Sequence, residues 1–149
     1  SSAEAPKDVS DVDDLSELEG LDGIICGIPT WNTGADEERS GTAWDSILED
    51  IGELSLSGKK VAIFGLGDSS TYTENYCDAM EELHSYFTKA GAEMVGYVDK
   101  SSYTFEESKS VIGETFCGLP LDEDSESDLT DSRLETWASQ LKGEIPSLG

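Results

Sequence analysis

Basic residues are what this sequence has least of: nine Lys and Arg stand against 33 Asp and Glu in 149 residues, a net charge of −24. Such a field repels phosphate backbones and anionic lipid surfaces, so nucleic-acid binding is excluded. It favours encounter with basic protein patches, and it equally serves plain solubility. Histidine is nearly absent. His84 has no second His or Cys at ligand spacing and reads as a half-buried helix residue, not a metal ligand. Cysteine is sparse and scattered: Cys26, Cys77 and Cys117 make no C-x-x-C pattern, which excludes a disulfide framework and suits buried thiols in a reducing compartment. No run approaches the ~18 apolar residues of a membrane-spanning helix. The N-terminal "SSAEAPKDVSDVDD" is acidic, unlike a signal or transit peptide, so an organellar protein would be in its mature form here. No nucleophile–base arrangement is present, and the chain is not read as an enzyme.

What is there amounts to one domain, residues 1–149, with 36% hydrophobic residues, enough to close a single core. Residues 4–22 carry eight acids and one Lys and read as mostly exposed, with a short strand near Lys7–Val9 and a helical turn at "LSELEG". Then "GIICG" (23–27), "KKVAIFGLG" (59–67) and "AEMVGYV" (92–98) are apolar runs of the kind buried on both faces, and "TFCGLPL" (115–121) is a fourth strand or a continuation of the third. Helical spacing lies between them. Trp44, Ile47, Leu48 and Ile51 form one stripe, closed by Gly52; Tyr76, Met80, Leu83 and Phe87 form another on a helix from after Thr73 to Gly91. Thr130 is placed to cap a last helix, ending before Gly143, whose Leu134, Trp137, Ala138 and Leu141 face inward. Trp44 and Trp137 are thus core residues. Segments 99–114 and 122–131, the second with six acids and no base, read as surface insertions, the latter a solvated loop and not a cation site. Alternating strands and helices of this kind predict an α/β fold with an open parallel sheet and right-handed crossovers.

In such a sheet, ligands bind beyond the carboxyl ends of the strands. Two loops leave those ends with unusual composition: "PTWNTG" (29–34) and "GLGDSSTYTENY" (65–76). Each sets one aromatic, Trp31 or Tyr72, among small polar residues. Two aromatics on adjacent loops can clamp a flat ring, each face worth roughly 0.5–1.5 kcal/mol beyond area burial. Singly, a loop Trp is as often a lid on the core and a loop Tyr a surface residue with a wet tip.

Three blocks in register, "PTWNTGADEERSGTAWD", "GKKVAIFGLGDSSTYTENYCDAM" and "GLPLDEDSESDLTDSRLETWASQLK", resemble flavodoxin of the long-chain, algal and cyanobacterial type, over residues 20 to 142. The resemblance implies a flavodoxin-like open parallel sheet with helices on both faces, binding FMN without a covalent link. It implies that Trp31 covers one flavin face and Tyr72 stacks on the other. Thr30, Asn32, Thr33 and Gly34 match the loop whose peptide reorients toward the flavin N5–H when one electron is taken up. Gly67, Asp68 and Asn75 match the loop at the pyrimidine edge. Residues 99–114 match the long-chain insertion that splits the last strand. In photosynthetic organisms the family shuttles single electrons from photosystem I to ferredoxin–NADP reductase, while bacterial relatives serve other reductases. Resemblance to the algal members implies the chloroplast stroma, at the stromal side of the thylakoid membrane, and basic docking surfaces on the partners.

One departure from the family is expected to matter. The family opens with a central strand and a Gly/Thr/Ser-rich phosphate-binding loop at a helix N-terminus, and no T-x-T-G-type loop occurs here. The first strand–loop–helix unit reads as absent from this chain, leaving "GIICG" with an unpaired edge. Three readings stay open: the unit precedes these residues in the protein, a separate chain supplies it, or the chain is a flavin-free docking subunit of a larger photosynthetic complex. FMN binding is expected on condition that a phosphate loop is supplied. As a carrier, Trp31→Ala is expected to weaken FMN binding by about 0.5–1.5 kcal/mol and to shift the first one-electron potential; an unchanged redox titration removes Trp31 from the stacking site.

Overall fold

The computed structural model describes residues 3–148. In chain order its elements are β1 (Gly23–Pro29), α1 (Leu48–Gly52), β2 (Lys60–Leu66), α2 (Ala79–Lys89), β3 (Glu93–Val95), β4 (Val98–Asp99), β5 (Val111–Ile112), β6 (Thr115–Phe116), β7 (Leu119–Leu121) and α3 (Thr130–Glu144), with short 3-10 turns between. β2 is the central strand. β1 runs parallel to it throughout, from Gly23 opposite Lys60 to Pro29 opposite Leu66. The other edge of β2 is shared end to end: β3 pairs with Lys60–Ala62 and β7 with Phe64–Leu66, both parallel. Of the 115–121 run, only Leu119–Leu121 continues the third strand, after a break; Thr115–Phe116 belongs to a separate small sheet. Gly96 makes the break, turning into the left-handed region (φ 80°) while its carbonyl accepts from the Trp137 indole at 2.8 Å.

Helices cover both faces. On one, Ile24, Cys26, Ile28, Val61 and Ile63 pack against Leu48 and Ile51 of α1 and Met80, Leu83 and Phe87 of α2. On the other, Ala62, Leu119 and Leu121 meet Trp137, Leu141 and Ile145. β2 is buried on both sides as its run of apolar residues predicts, but β1 alternates: Ile25, on the α3 side, is 41% exposed. Among the described residues β1 pairs with β2 alone, so its far edge carries no strand.

Several local expectations change. No strand forms near Lys7–Val9, because Asp8 accepts from both the N–H and the hydroxyl of Ser10 and turns the chain into a 3-10 helix, Val9–Asp11. "LSELEG" does form a helical turn, a 3-10 one, with Leu15 and Leu18 set against the core. The helix expected after Thr73 begins only at Ala79, since Cys77 sits at φ 53° and interrupts it. Thr130 lies inside α3 instead of capping it, its hydroxyl buried without a partner, and the helix runs through Gly143 to Glu144. Leu134 and Ala138 face outward, because the sheet meets α3 only along Trp137 and Leu141. The 99–114 insertion is no mere surface loop: β4, β6 and β5 form a small antiparallel sheet, and Tyr103 and Phe105 of the insertion join Tyr76 and Phe116 of β6 in a largely buried aromatic cluster.

The close approach of β7 to β2 rests on Gly118, where a Cβ would fall on the Ile63 carbonyl oxygen. Backbone cannot yield there as a side chain can. Gly118→Ala is expected to destabilise the fold by about 1–3 kcal/mol, read as a lowered urea midpoint; an unchanged midpoint would show that β7 has room to shift.

Candidate functional site

The site begins where β1 and β2 end side by side. Thr30 N–H donates to the Leu66 carbonyl at 3.2 Å, joining the two loops at their roots. From there the first loop makes a tight turn. Ala35 N–H returns to the Asn32 carbonyl, with Gly34 at φ 83°, the left-handed position such a turn requires. The Thr33 hydroxyl donates to the Thr30 carbonyl, and the Thr30 hydroxyl accepts from Ala79 N–H at the start of α2. The chain then doubles back alongside Trp31, whose N–H bonds the Ser40 carbonyl, while the Asn32 N–H bonds that of Arg39. Trp31 itself stands out, 74% exposed.

Two carboxylates hold this double-back. Glu82, 7% exposed, accepts from Glu38 N–H at 2.9 Å and Arg39 N–H at 2.7 Å. Asp45 accepts from the Ser40 hydroxyl and Gly41 N–H. The Arg39 guanidinium pairs with Glu81 and bonds the carbonyls of Asp36 and Asp78.

The second loop is built the same way. Asp68 accepts from the N–H groups of Ser70 and Thr71, turning the chain so that Tyr72, 50% exposed, sits at the rim. The Thr71 bonds hold the Asp68 carboxyl down at about 2, with the Ser125 hydroxyl and Ser70 N–H assisting. Asp122, fully buried, accepts from the N–H and hydroxyl of Ser69 and from the N–H groups of Asp124 and Ser125. It fastens the Tyr72 loop to the segment after β7. The insertion braces the far side: Glu106 and Glu107 N–H reach the Thr73 carbonyl, Tyr76 N–H reaches that of Glu107, and Asp78 accepts from Lys109 N–H.

The structure thus gathers Thr30, Trp31, Asn32, Thr33 and Gly34 on one loop and Gly67, Asp68, Tyr72 and Asn75 on its neighbour. Some of their side chains are spent internally. The Asn32 amide donates to the Glu38 carbonyl, the Asp68 carboxylate holds its own turn, and the Asn75 amide reaches Asp78. Gly67 is packed against Cys77 and donates its N–H to Leu121. Large exposed surface is left to Trp31 and Tyr72. Sequence reasoning missed Glu82, Asp122 and the bracing insertion. A carboxylate directly before Leu83 in an apolar stripe was the available signal for Glu82; Asp122 was hidden in a run of acids.

The remaining reactive groups are quiet. Burial pushes the Cys26 and Cys117 thiols up to about 12 and raises that of Cys77 as well. The His84 ring bonds the Tyr97 hydroxyl at 2.6 Å, and burial lowers its pKa, Glu81 opposing. No group of three or more metal-ligating side chains occurs among the described residues. No described helix is long and apolar enough to cross a membrane. A cavity of about 1100 Å³ is lined by none of residues 30–34 or 65–76; it runs along the unpaired edge of β1, bounded by the N-terminal segment, the 42–44 turn and Ile145.

Comparison with known proteins places this architecture. The family model described as flavodoxin matches residues 2–137. A flavodoxin of Synechococcus elongatus is 44% identical over 132 residues, 89% of this chain and 75% of that protein. Flavodoxin 1 of Escherichia coli is 37% identical over 145 residues, covering 93% and 80%. The crystal structure of Fusobacterium nucleatum flavodoxin bound to flavin mononucleotide superposes with a TM-score of 0.79 at 30% identity, over 87% of this chain and 75% of that one.

Because the folded pKa of Asp68 lies near 2, below its ordinary 3.8, its contribution is complete above about pH 4 and lost as pH falls through about 2. The stability gap between the protein and Asp68→Ala, measured by urea unfolding, is expected to be constant at pH 5–7 and to close toward pH 2. A gap independent of pH would detach the carboxylate's charge from the loop.

Proposed function

The chain belongs to the flavodoxin family, and on that premise we propose that it carries single electrons on non-covalently bound FMN. The observation that carries this reading is the pair Trp31 and Tyr72, exposed aromatics on neighbouring strand-end loops whose backbones are fixed by internal hydrogen bonds. Exposed aromatics on rigid loops suit a flat ring, since little conformational entropy remains to be lost when it docks. FMN supplies the redox centre, accepting and releasing electrons one at a time. The chain's own part is to present Trp31 and Tyr72 to the ring faces, to border it with the backbone of Asn32–Gly34 and Gly67–Asp68, and to surround it with negative charge. A net charge of −24 penalises added negative charge at the site and so keeps the carried electron at low potential.

The unpaired edge of β1 supports a further part of the proposal: a strand and a phosphate-binding loop from outside these residues complete the sheet there. Ile25 lies exposed beside that edge and the cavity of about 1100 Å³ runs along it. The break between β3 and β7, with the intervening small sheet, supports assignment to the long-chain type. The charge and the likeness to cyanobacterial relatives support basic redox partners, photosystem I and ferredoxin–NADP reductase, at the stromal side of the thylakoid membrane in the chloroplast. A flavin-free docking subunit is not favoured, since it would have no use for two anchored aromatics facing solvent.

The test is an anaerobic reductive titration of the native protein after FMN addition. Two separated one-electron steps are expected, with electron delivery to ferredoxin–NADP reductase slowing as salt rises. A protein that takes up no FMN overturns the carrier assignment, whereas transfer indifferent to salt overturns only the basic docking surface.

A further inference from the structure

We infer that Glu82 of α2 is a positioning residue for Trp31, fixing the aromatic wall from a helix that does not itself contribute to it; this rests on the FMN-carrier reading above. A carboxylate so buried needs partners, because desolvation of an unpaired charge is costly. Glu82 finds them in two consecutive backbone amides, one on each oxygen: Glu38 N–H on Oε2 and Arg39 N–H on Oε1. Charge-assisted bonds of this kind are about twice as strong as neutral ones.

What they hold is strained. Glu38 sits at φ 53°, a conformation disfavoured for a residue with a Cβ. Both its backbone groups are clamped, the N–H by Glu82 and the carbonyl by the Asn32 amide at 3.1 Å. The next residues transmit the constraint. Arg39 and Ser40 accept from Asn32 N–H and Trp31 N–H at 3.0 and 3.2 Å, so the Trp31 backbone lies two hydrogen bonds from the α2 carboxylate. Gly41, at φ 65°, passes close beneath the Trp31 Cβ. With its indole mostly in solvent, Trp31 gets its orientation from this backbone ladder and not from side-chain packing. Arg39 completes the device: its guanidinium bonds Glu81 at 2.7 Å and offsets the crowding of acids at the start of α2.

The arrangement separates two jobs. α2 packs on the sheet through Met80, Leu83 and Phe87, and turns Glu82 toward the loop. Removing the carboxylate therefore acts on the loop more than on the core.

The experiment is a double-mutant cycle in the native protein, comparing Glu82→Ala and Glu82→Gln with and without Trp31→Ala, read by FMN affinity, by the first one-electron potential, and by amide hydrogen exchange without FMN. Glu82→Ala is expected to weaken FMN binding about tenfold, the size of one lost stacking contact, and to shift the potential. Glu82→Gln, which keeps one acceptor oxygen, is expected to recover part of both. In the Trp31→Ala background the same changes are expected to have little further effect. Without FMN, exchange at the amides of Trp31, Asn32, Glu38 and Arg39 is expected to rise while that of β2 stays unchanged. Equal affinity and potential in Glu82→Ala, or losses that add fully to those of Trp31→Ala, overturn the inference and leave the carrier reading standing. If the native protein binds no FMN the carrier reading falls and this role with it, even where the exchange data show the loop loosened.

Discussion

The parallel register of β1 on β2 is the constraint from which the rest follows. Because Pro29 lies opposite Leu66, the two strands end together and their loops leave the sheet side by side. A slip of one residue would turn every side chain of β1 to the other face and expose Ile24, Cys26 and Ile28. Burial of those three against α1 and α2 therefore fixes where Trp31 and Tyr72 begin. Hydrophobic burial chooses the register, and the register chooses the site.

Between the strand ends and the aromatics, carboxylates take over from packing. The chain holds 33 acids, yet the buried ones are specific: Asp78, Glu82 and Asp122 each accept backbone N–H groups of a loop. These loops are too polar and rich in small residues to be held by apolar contacts, and their amides need acceptors once removed from water. The same residue type thus plays two physical roles, a diffuse outward field from the exposed acids and sharp local fastening from the buried few.

Much of the fold was legible because burial leaves periodic traces. β2 announced itself as an unbroken apolar run, and the Met80, Leu83, Phe87 spacing marked α2. What stayed hidden depended on backbone conformation at single residues. Cys77 in the left-handed region stops α2 short of Thr73, Gly96 splits the third strand, and Asp8 draws its neighbours into a 3-10 turn; none of these leaves a periodic signal. At the site, Trp31 and Tyr72 could be singled out because large aromatics among turn residues are conspicuous. Their anchors could not, since the Glu82 bonds join residues 44 and 43 positions apart and depend on how the loop folds back.

The break at Gly96 has a consequence for how such a protein can change. β3 and β7 occupy the same edge of β2, so the chain leaves the sheet and returns to it along one line. Lengthening or shortening the excursion leaves the pairing of either strand untouched, which makes this segment an interchangeable module as far as the sheet is concerned. Its bonds to Thr73, Tyr76 and Asp78 set the opposite limit. Change in its length spares the strand pairing, while change in Tyr103, Phe105 or Phe116 is felt in the core and change in the few residues that touch the Tyr72 loop is felt at the site.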